Sequence, residues 1–316
     1  MLAKENLMFD IYNRDYSAQL LSEMQSFGLS PHSINFLCAD GALHRYTVHG
    51  DKPGTKNGWY VIYQHEIVCA VFGSWKTGAK HVWCSANRSE LKAEVNAEIF
   101  KKISQAKKLF AIRKKEEQSL AAERAFSLWN SFIPANSFHP YLLKKRITPF
   151  TARQTGGDLV LPIIDCDNKI WSLQYIDPNG RKLLFAGGAK KGNFIPVHGC
   201  LSSEEIGIAE GFATAATIAK EHPHMCVIAA IDAGNLETVA IAIRNRKPYA
   251  EITIFGDDDR LTESNPGATK AWAAAVCAGA QVCLPPWPFD APPSLSDFND
   301  LACWFEDNYR EIENDE

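Results

Sequence analysis

After Ser203 the chain alternates short, uninterrupted apolar runs with segments of helical periodicity, and this rhythm restricts the fold more than any other feature. Ile206 to Ala209, Val227 to Ile231, Ile252 to Phe255 and Gln281 to Leu284 read as four strands. FATAATIAKEH, LETVAIAIRNR and a segment opening at Pro266 and running through KAWAAAVCAG read as the helices between them. Strands that are apolar at every position are buried on both faces, which predicts an α/β unit with a parallel sheet flanked by helices. Right-handed crossovers bring the C-terminal ends of such strands to one edge. In open α/β sheets that edge binds ligands.

Acidic residues gather there. Glu210 follows the first strand, and Asp257, Asp258 and Asp259 follow the third. Taken singly, each reads as a helix cap or a turn residue, the commonest surface use of aspartate. Taken together at equivalent strand ends, they suit a hard cation, Mg²⁺ or Mn²⁺, which accepts a few carboxylate oxygens and waters.

Upstream the pattern is different. Residues 9–30 carry Ile11, Tyr12, Leu20, Leu21 and Met24 at roughly helical spacing. From about residue 34 to 85, apolar and polar residues alternate between DG, PGTKNG and TG turns, which predicts an antiparallel meander. A long helix follows, capped near Asn87 or Ser89, with Leu91, Val95, Ile99 and Ile103 four apart. Between Lys101 and Lys115 it carries seven Lys or Arg and no acidic residue. Such a run is either a solvated face or a phosphate contact. Residues 140–199 hold two short apolar runs, LVLPIID and IWSLQYID, then a PNGRK turn and the basic, glycine-rich LLFAGGAKKGNF. These read as a small α+β region. The expected domains are therefore 1–86 (β-rich), 87–135 (basic helical connector), 136–200 (small α+β region) and 201–316 (parallel α/β unit).

Composition narrows the functional classes. Nine scattered cysteines without a C-x-x-C pair exclude a zinc ribbon and a disulfide framework, so no zinc is expected and a reducing, cytoplasmic setting is. No apolar run is long enough to span a bilayer, and the first residues lack a secretory pattern, so no membrane partner is expected. A net charge of −4 does not announce a nucleic-acid binder, but binding depends on where the charge sits.

AEGFATAATIA resembles the glutamate motif of the TOPRIM superfamily, which includes DnaG-type primases, topoisomerases and OLD-type nucleases. ITIFGDDD resembles its hydrophobic strand ending in D-x-D, on which Asp257 and Asp259 fall. Within the superfamily the chain is most similar to primase-like proteins of phages and conjugative plasmids. Asn265-Pro266-Gly267, SDFNDL (Asp297, Asn299, Asp300), HPYLLKKRI, AIDAGNL, the residue 159–194 region and DGALHRYTV…NGWYVIY…FGSWKTG all share that likeness.

The resemblance implies a C-terminal TOPRIM domain and synthesis of short RNA primers on single-stranded DNA from ribonucleoside triphosphates. It further implies Mg²⁺ or Mn²⁺ held by Glu210, Asp257, Asp259 and Asp297, with Glu210 as ligand or base. Lys182, Lys190 and Lys191, with Lys107, Lys108 and Lys114 on the basic helix, are the candidates for triphosphate or template phosphate. A replicative helicase is the implied protein partner. Two other readings share the acids: a metal-dependent TOPRIM nuclease, and an adaptor that binds single-stranded DNA without turnover.

Overall fold

The computed structural model describes residues 16–32, 37–64, 68–85 and 93–309. It contains two compact units, residues 1–115 and 116–316.

In the first unit, residues 16–26 are helical (α1). Four antiparallel strands follow in sequential order: β1 (His44–Tyr46), β2 (Gly58–Gln64), β3 (Val68–Ser74) and β4 (Lys80–Cys84). This is the meander that the alternating pattern predicts. Leu20 and Met24 of α1 pack with Tyr60, Ile62, Ala70 and Phe72 of β2 and β3, so one sheet face is the core of this unit. Residues 9–15 of the expected first helix, and the proposed caps Asn87 and Ser89, lie outside the described residues. The long basic helix is α2 (Ala93–Ser131), in which Lys101, Lys108, Lys114 and Lys115 are exposed. The side chain of Lys107 lies outside the described residues.

The second unit contains two five-stranded sheets. The first is antiparallel and runs in chain order through β5 (Ile133–Pro134), β6 (Arg153–Thr155), β7 (Asp158–Ile164), β8 (Ile170–Ile176) and β9 (Lys182–Leu184). A short helix, α3 (Pro140–Lys145), is inserted before β6. The second sheet has the order β10-β12-β11-β13-β14, from β10 (Ile195–His198), β11 (Glu205–Ala209), β12 (Cys226–Ala229), β13 (Glu251–Phe255) and β14 (Gln281–Cys283). Strands β11 to β14 are parallel to one another, as the sequence predicts. Among the described residues, no helix is long and apolar enough to cross a membrane.

Helices cover both faces of this sheet. Leu236, Val239 and Ile243 of α5 (Ala233–Arg246) and Ala271 and Ala274 of α6 (Pro266–Ala278) pack with Ile206, Ile208, Ile252 and Ile254. Phe212, Ala215 and Ile218 of α4 (Phe212–Glu221) pack with Val227 and Ala229 in the other core. The last helix is α7 (Phe298–Tyr309).

Two features depart from the expectation. Strand β10 adds an antiparallel edge to the four predicted strands. Apolar contacts also run across residue 200, within the compact unit 116–316. Val160 and Leu173 of the antiparallel sheet belong to the first core, and Leu159, Leu161 and Ile163 belong to the second. Neither face of that small sheet is closed by its own residues. Residues 136–200 and 201–316 therefore share their apolar cores and form one folding unit.

Candidate active site

The C-terminal ends of β11 and β13 open onto a cleft of about 250 Å³, lined by Glu210, Asp257, Asp297, Lys182, Lys144 and Lys145 together with Tyr141 and Thr214. Glu210 leaves β11 immediately before α4, and the backbone N–H of Ala233, the first residue of α5, favours its charged form. A helix N-terminus favours negative charge there. Burial nevertheless raises the Glu210 pKa, and the negative charges of Asp259 and Asp232 add to the shift, while Lys182 opposes it.

Asp257 is the most perturbed acid of the cleft. Burial pushes its carboxyl up to about 8, and Glu210, Asp297 and Asp259 push in the same direction. Its Oδ1 is buried without a hydrogen-bond partner. Asp297 is raised as well, by burial first and then by Asp300. Its Oδ1 accepts from the backbone N–H of Asp300 at 2.8 Å, so Asp297 caps α7 while facing the cleft.

The neighbouring aspartates have other partners. Asp258 accepts from Asn265 Nδ2 at 2.6 Å and from Trp287 Nε1 at 2.9 Å, which makes it a structural residue. Oδ2 of Asp259 accepts from the backbone N–H of Gly267 at 2.9 Å, at the start of α6. Asp259 is not among the residues that line the cleft, but its charge raises the pKa of both Glu210 and Asp257. Asn265, in the left-handed region at φ 40°, accepts from the Asp259 N–H at 2.8 Å and from the Ala268 N–H at 3.3 Å. The Asn-Pro-Gly sequence thus builds the turn that holds the aspartate strand end against α6.

The candidate lysines divide. Lys182 is exposed and reaches the cleft, where a Cβ on Gly211 would lie 3.3 Å from its Nζ. Lys190 is instead paired with Asp232 at 2.5 Å. Its loop is held by Asn235, which accepts from the Gly192 N–H and donates to the carbonyls of Lys190, Asn193 and Ala230. Lys191 is exposed and outside the cleft lining. Lys108 and Lys114 belong to the first compact unit, and this cleft to the second.

Tyr141, Lys144 and Lys145 were not candidates from sequence. They sit on α3, whose start is fixed by Pro140 at its first position and by His139, which accepts from the Tyr141 N–H. Burial, and then the Asp297 charge, raise the Tyr141 phenol to about 12, so it stays neutral. Asn299 donates to the Lys145 carbonyl at 2.7 Å and to Thr217 Oγ1 at 3.0 Å. Asp300 pairs with Lys145 Nζ at 3.3 Å. The late D-x-N-D segment therefore supplies one cleft carboxylate and clamps the lysine-bearing helix.

A divalent cation fits this donor set. All the acids offer hard oxygen ligands, and the unpartnered Asp257 oxygen lies among like charges that a cation would relieve. Among the described residues no three Asp, Glu, His or Cys side chains converge tightly enough to ligate one ion by themselves. Mg²⁺ is often held by one or two carboxylates, with waters and substrate phosphates completing the shell.

Residues 205–304 match the family described as the Toprim domain. The chain carries a Toprim domain. Its carboxylate cleft lies where β11 and β13 of that domain end. Two curated relatives, both named DNA primase TraC from Escherichia coli, are similar to the chain beyond the Toprim domain. One is 34% identical over 259 residues, covering 78% of this chain and 18% of the relative. The other is 32% identical over 263 residues, covering 78% and 24%. The chain thus spans a quarter or less of the length of these relatives. Among solved structures, the primase fragment of the bacteriophage T7 primase-helicase protein aligns at a TM-score of 0.39 and 16% identity, covering 55% of this chain and 72% of that one.

Proposed function

We propose that the chain is a DNA primase-type nucleotidyltransferase of a phage or plasmid replication system, using Mg²⁺ or Mn²⁺ to join ribonucleotides on single-stranded DNA. The observation that carries this reading is the partnerless buried Asp257 oxygen in a cleft that it lines together with Glu210, Asp297 and three lysines. The similarity to the TraC primases supports it over most of this chain.

Glu210 and Asp257 would hold the cation, with Asp297 in the same cleft and Asp259 contributing charge from outside its lining. When bound, the cation neutralises phosphate charge and polarises the phosphorus that is attacked. The protein's own residues do the rest. Lys182, Lys144 and Lys145 bind and orient the triphosphate. The neutral Tyr141 hydroxyl offers a hydrogen bond to a substrate oxygen. Glu210 is the cation ligand in this reading; its alternative role is to accept the proton of the attacking 3′-hydroxyl. The second unit contains the whole cleft, so the basic residues of α2, including Lys107, Lys108 and Lys114, are assigned to template phosphate. A replicative helicase would deliver that template.

Incubation with labelled ribonucleoside triphosphates, Mg²⁺ or Mn²⁺ and single-stranded DNA tests the assignment when both products and template are followed. Short oligoribonucleotides that vanish with Asp257→Asn support it. Template cut without synthesis would replace it with the nuclease reading, and DNA binding without either reaction with the adaptor reading.

A further inference from the structure

The first compact unit has a second sheet face that its core does not use. Residues directly opposite one another in an antiparallel pair share a face. The register Arg45↔Trp59, Trp59↔Gly73 and Gly73↔Lys80 therefore places Arg45, Trp59, Gly73 and Lys80 in one row across all four strands. The next row on this face is Val61, Val71 and Val82. Leu20, Met24, Tyr60 and Phe72 pack on the opposite face.

Trp59 lies flat on the sheet, because a Cβ at Gly73 would come within 2.8 Å of its Cζ2. Only glycine leaves room for the indole there. Trp75, in the turn after β3, places its ring 5.6 Å from that of Trp59 and is 57% exposed. Arg45 is fixed at the β1 edge, where its guanidinium donates to the Lys56 carbonyl at 3.0 and 2.6 Å. Lys56 and Lys80 are exposed. Residues 37–85 contain five Lys or Arg against three Asp or Glu, a local excess of +2 in a chain of net charge −4.

We propose that this face of the β1–β4 sheet is a single-stranded nucleic-acid platform, with bases stacking on Trp75 beside Trp59 and phosphates held by Arg45 and Lys80. A strand of unpaired bases needs an exposed aromatic ring with cations nearby, and Trp75, backed by the buried Trp59, supplies the ring while the exposed Arg45 and Lys80 supply the charge. A protein partner buried on an apolar patch would leave the two flanking cations without a role. The platform is separate from the carboxylate cleft and does not depend on catalysis.

The test uses the full chain in EDTA without nucleotides, titrated into fluorescently labelled oligothymidylate from low to moderate salt. Trp75→Ala should weaken binding by about tenfold, the loss of one stacked base. Trp75→Phe should restore most of it. Lys80→Ala should make the salt slope shallower by about one unit. A duplex of the same length should compete poorly. Thermal melts of each variant separate lost contacts from lost folding. If folded Trp75→Ala and Lys80→Ala proteins bind with wild-type affinity and slope, the proposal is overturned and the face serves another partner. That result would leave primer synthesis by the cleft standing. Conversely, a protein that binds DNA through this face but makes no product overturns only the proposed function.

Discussion

Gly267 approaches the strand end so closely that a Cβ on it would meet the Asp257 carbonyl oxygen at 2.6 Å. Its own N–H donates to Asp259 at 2.9 Å. The start of α6 thereby presses against the backbone that presents both aspartates. Gly267→Ala must push α6 or Asp257 aside, at a cost of about 1–3 kcal/mol as overpacking. A thermal melt should show a fall of several degrees. Turnover should fall further than the unfolded fraction explains, because the Asp257 carboxylate is displaced from Glu210.

Asn299 provides a second mechanical link. It is buried, and its amide bonds both Lys145 on α3 and Thr217 on α4. Asn299→Ala leaves the Lys145 carbonyl without that donor and should cost about 1–3 kcal/mol in a denaturant titration. Since Lys144 and Lys145 ride on the clamped helix, KM for nucleotide should rise more than kcat falls.

Asp257 makes folding stability depend on pH in an unusual direction. Its folded value of about 8 lies above the ordinary 3.8. Between those limits the native state holds a proton that the unfolded chain has released. Unfolding free energy from this group therefore falls as pH rises from about 4 to 8. In EDTA, Asp257→Asn should remove that slope and gain on the order of 2 kcal/mol at pH 8 relative to wild type. Adding Mn²⁺ should stabilise the wild type and not the variant. Parallel pH-stability curves for the two proteins would show that the carboxyl is not buried among like charges.

The lysines differ in their expected effect on DNA. Lys190 is committed to Asp232, a part-exposed pair worth at most about 1 kcal/mol. Lys190→Ala should loosen the loop slightly and leave the salt dependence of single-stranded DNA binding unchanged. A Lys107→Ala/Lys108→Ala/Lys114→Ala protein should lose up to about three units of slope if α2 carries template phosphate. An unchanged slope would make this helix a solvated face.

The sequence displays the parallel sheet plainly, since Ile206 to Ala209 and Val227 to Ile231 are apolar throughout and Ile252 to Phe255 is interrupted only by Thr253. It displays Glu210 and Asp257 equally well, because strand ends on one edge follow from crossover handedness. The division among the three consecutive aspartates is less legible. It depends on the left-handed turn at Asn265, which directs Asp258 to Trp287 and Asp259 to Gly267. The pairing of Lys190 with Asp232 is not legible, because the two are 42 residues apart in the chain. Tyr141, Lys144 and Lys145 escaped notice because α3 has only six residues, too few to show a period. Strand β10 is four residues long with a central proline, and it reads as a loop until β12 is placed beside it.

The central claim is that Glu210 and Asp257 together hold a divalent cation, and Mn²⁺ binding followed by electron paramagnetic resonance tests it without relying on turnover. Wild-type protein should remove free Mn²⁺ signal saturably, more strongly as pH rises towards 8 and the Asp257 proton is displaced. Asp257→Asn and Glu210→Gln should each abolish that binding, while Asp259→Asn should only weaken it, since Asp259 acts from outside the cleft. Equal Mn²⁺ uptake by wild type, Asp257→Asn and Glu210→Gln would contradict the account.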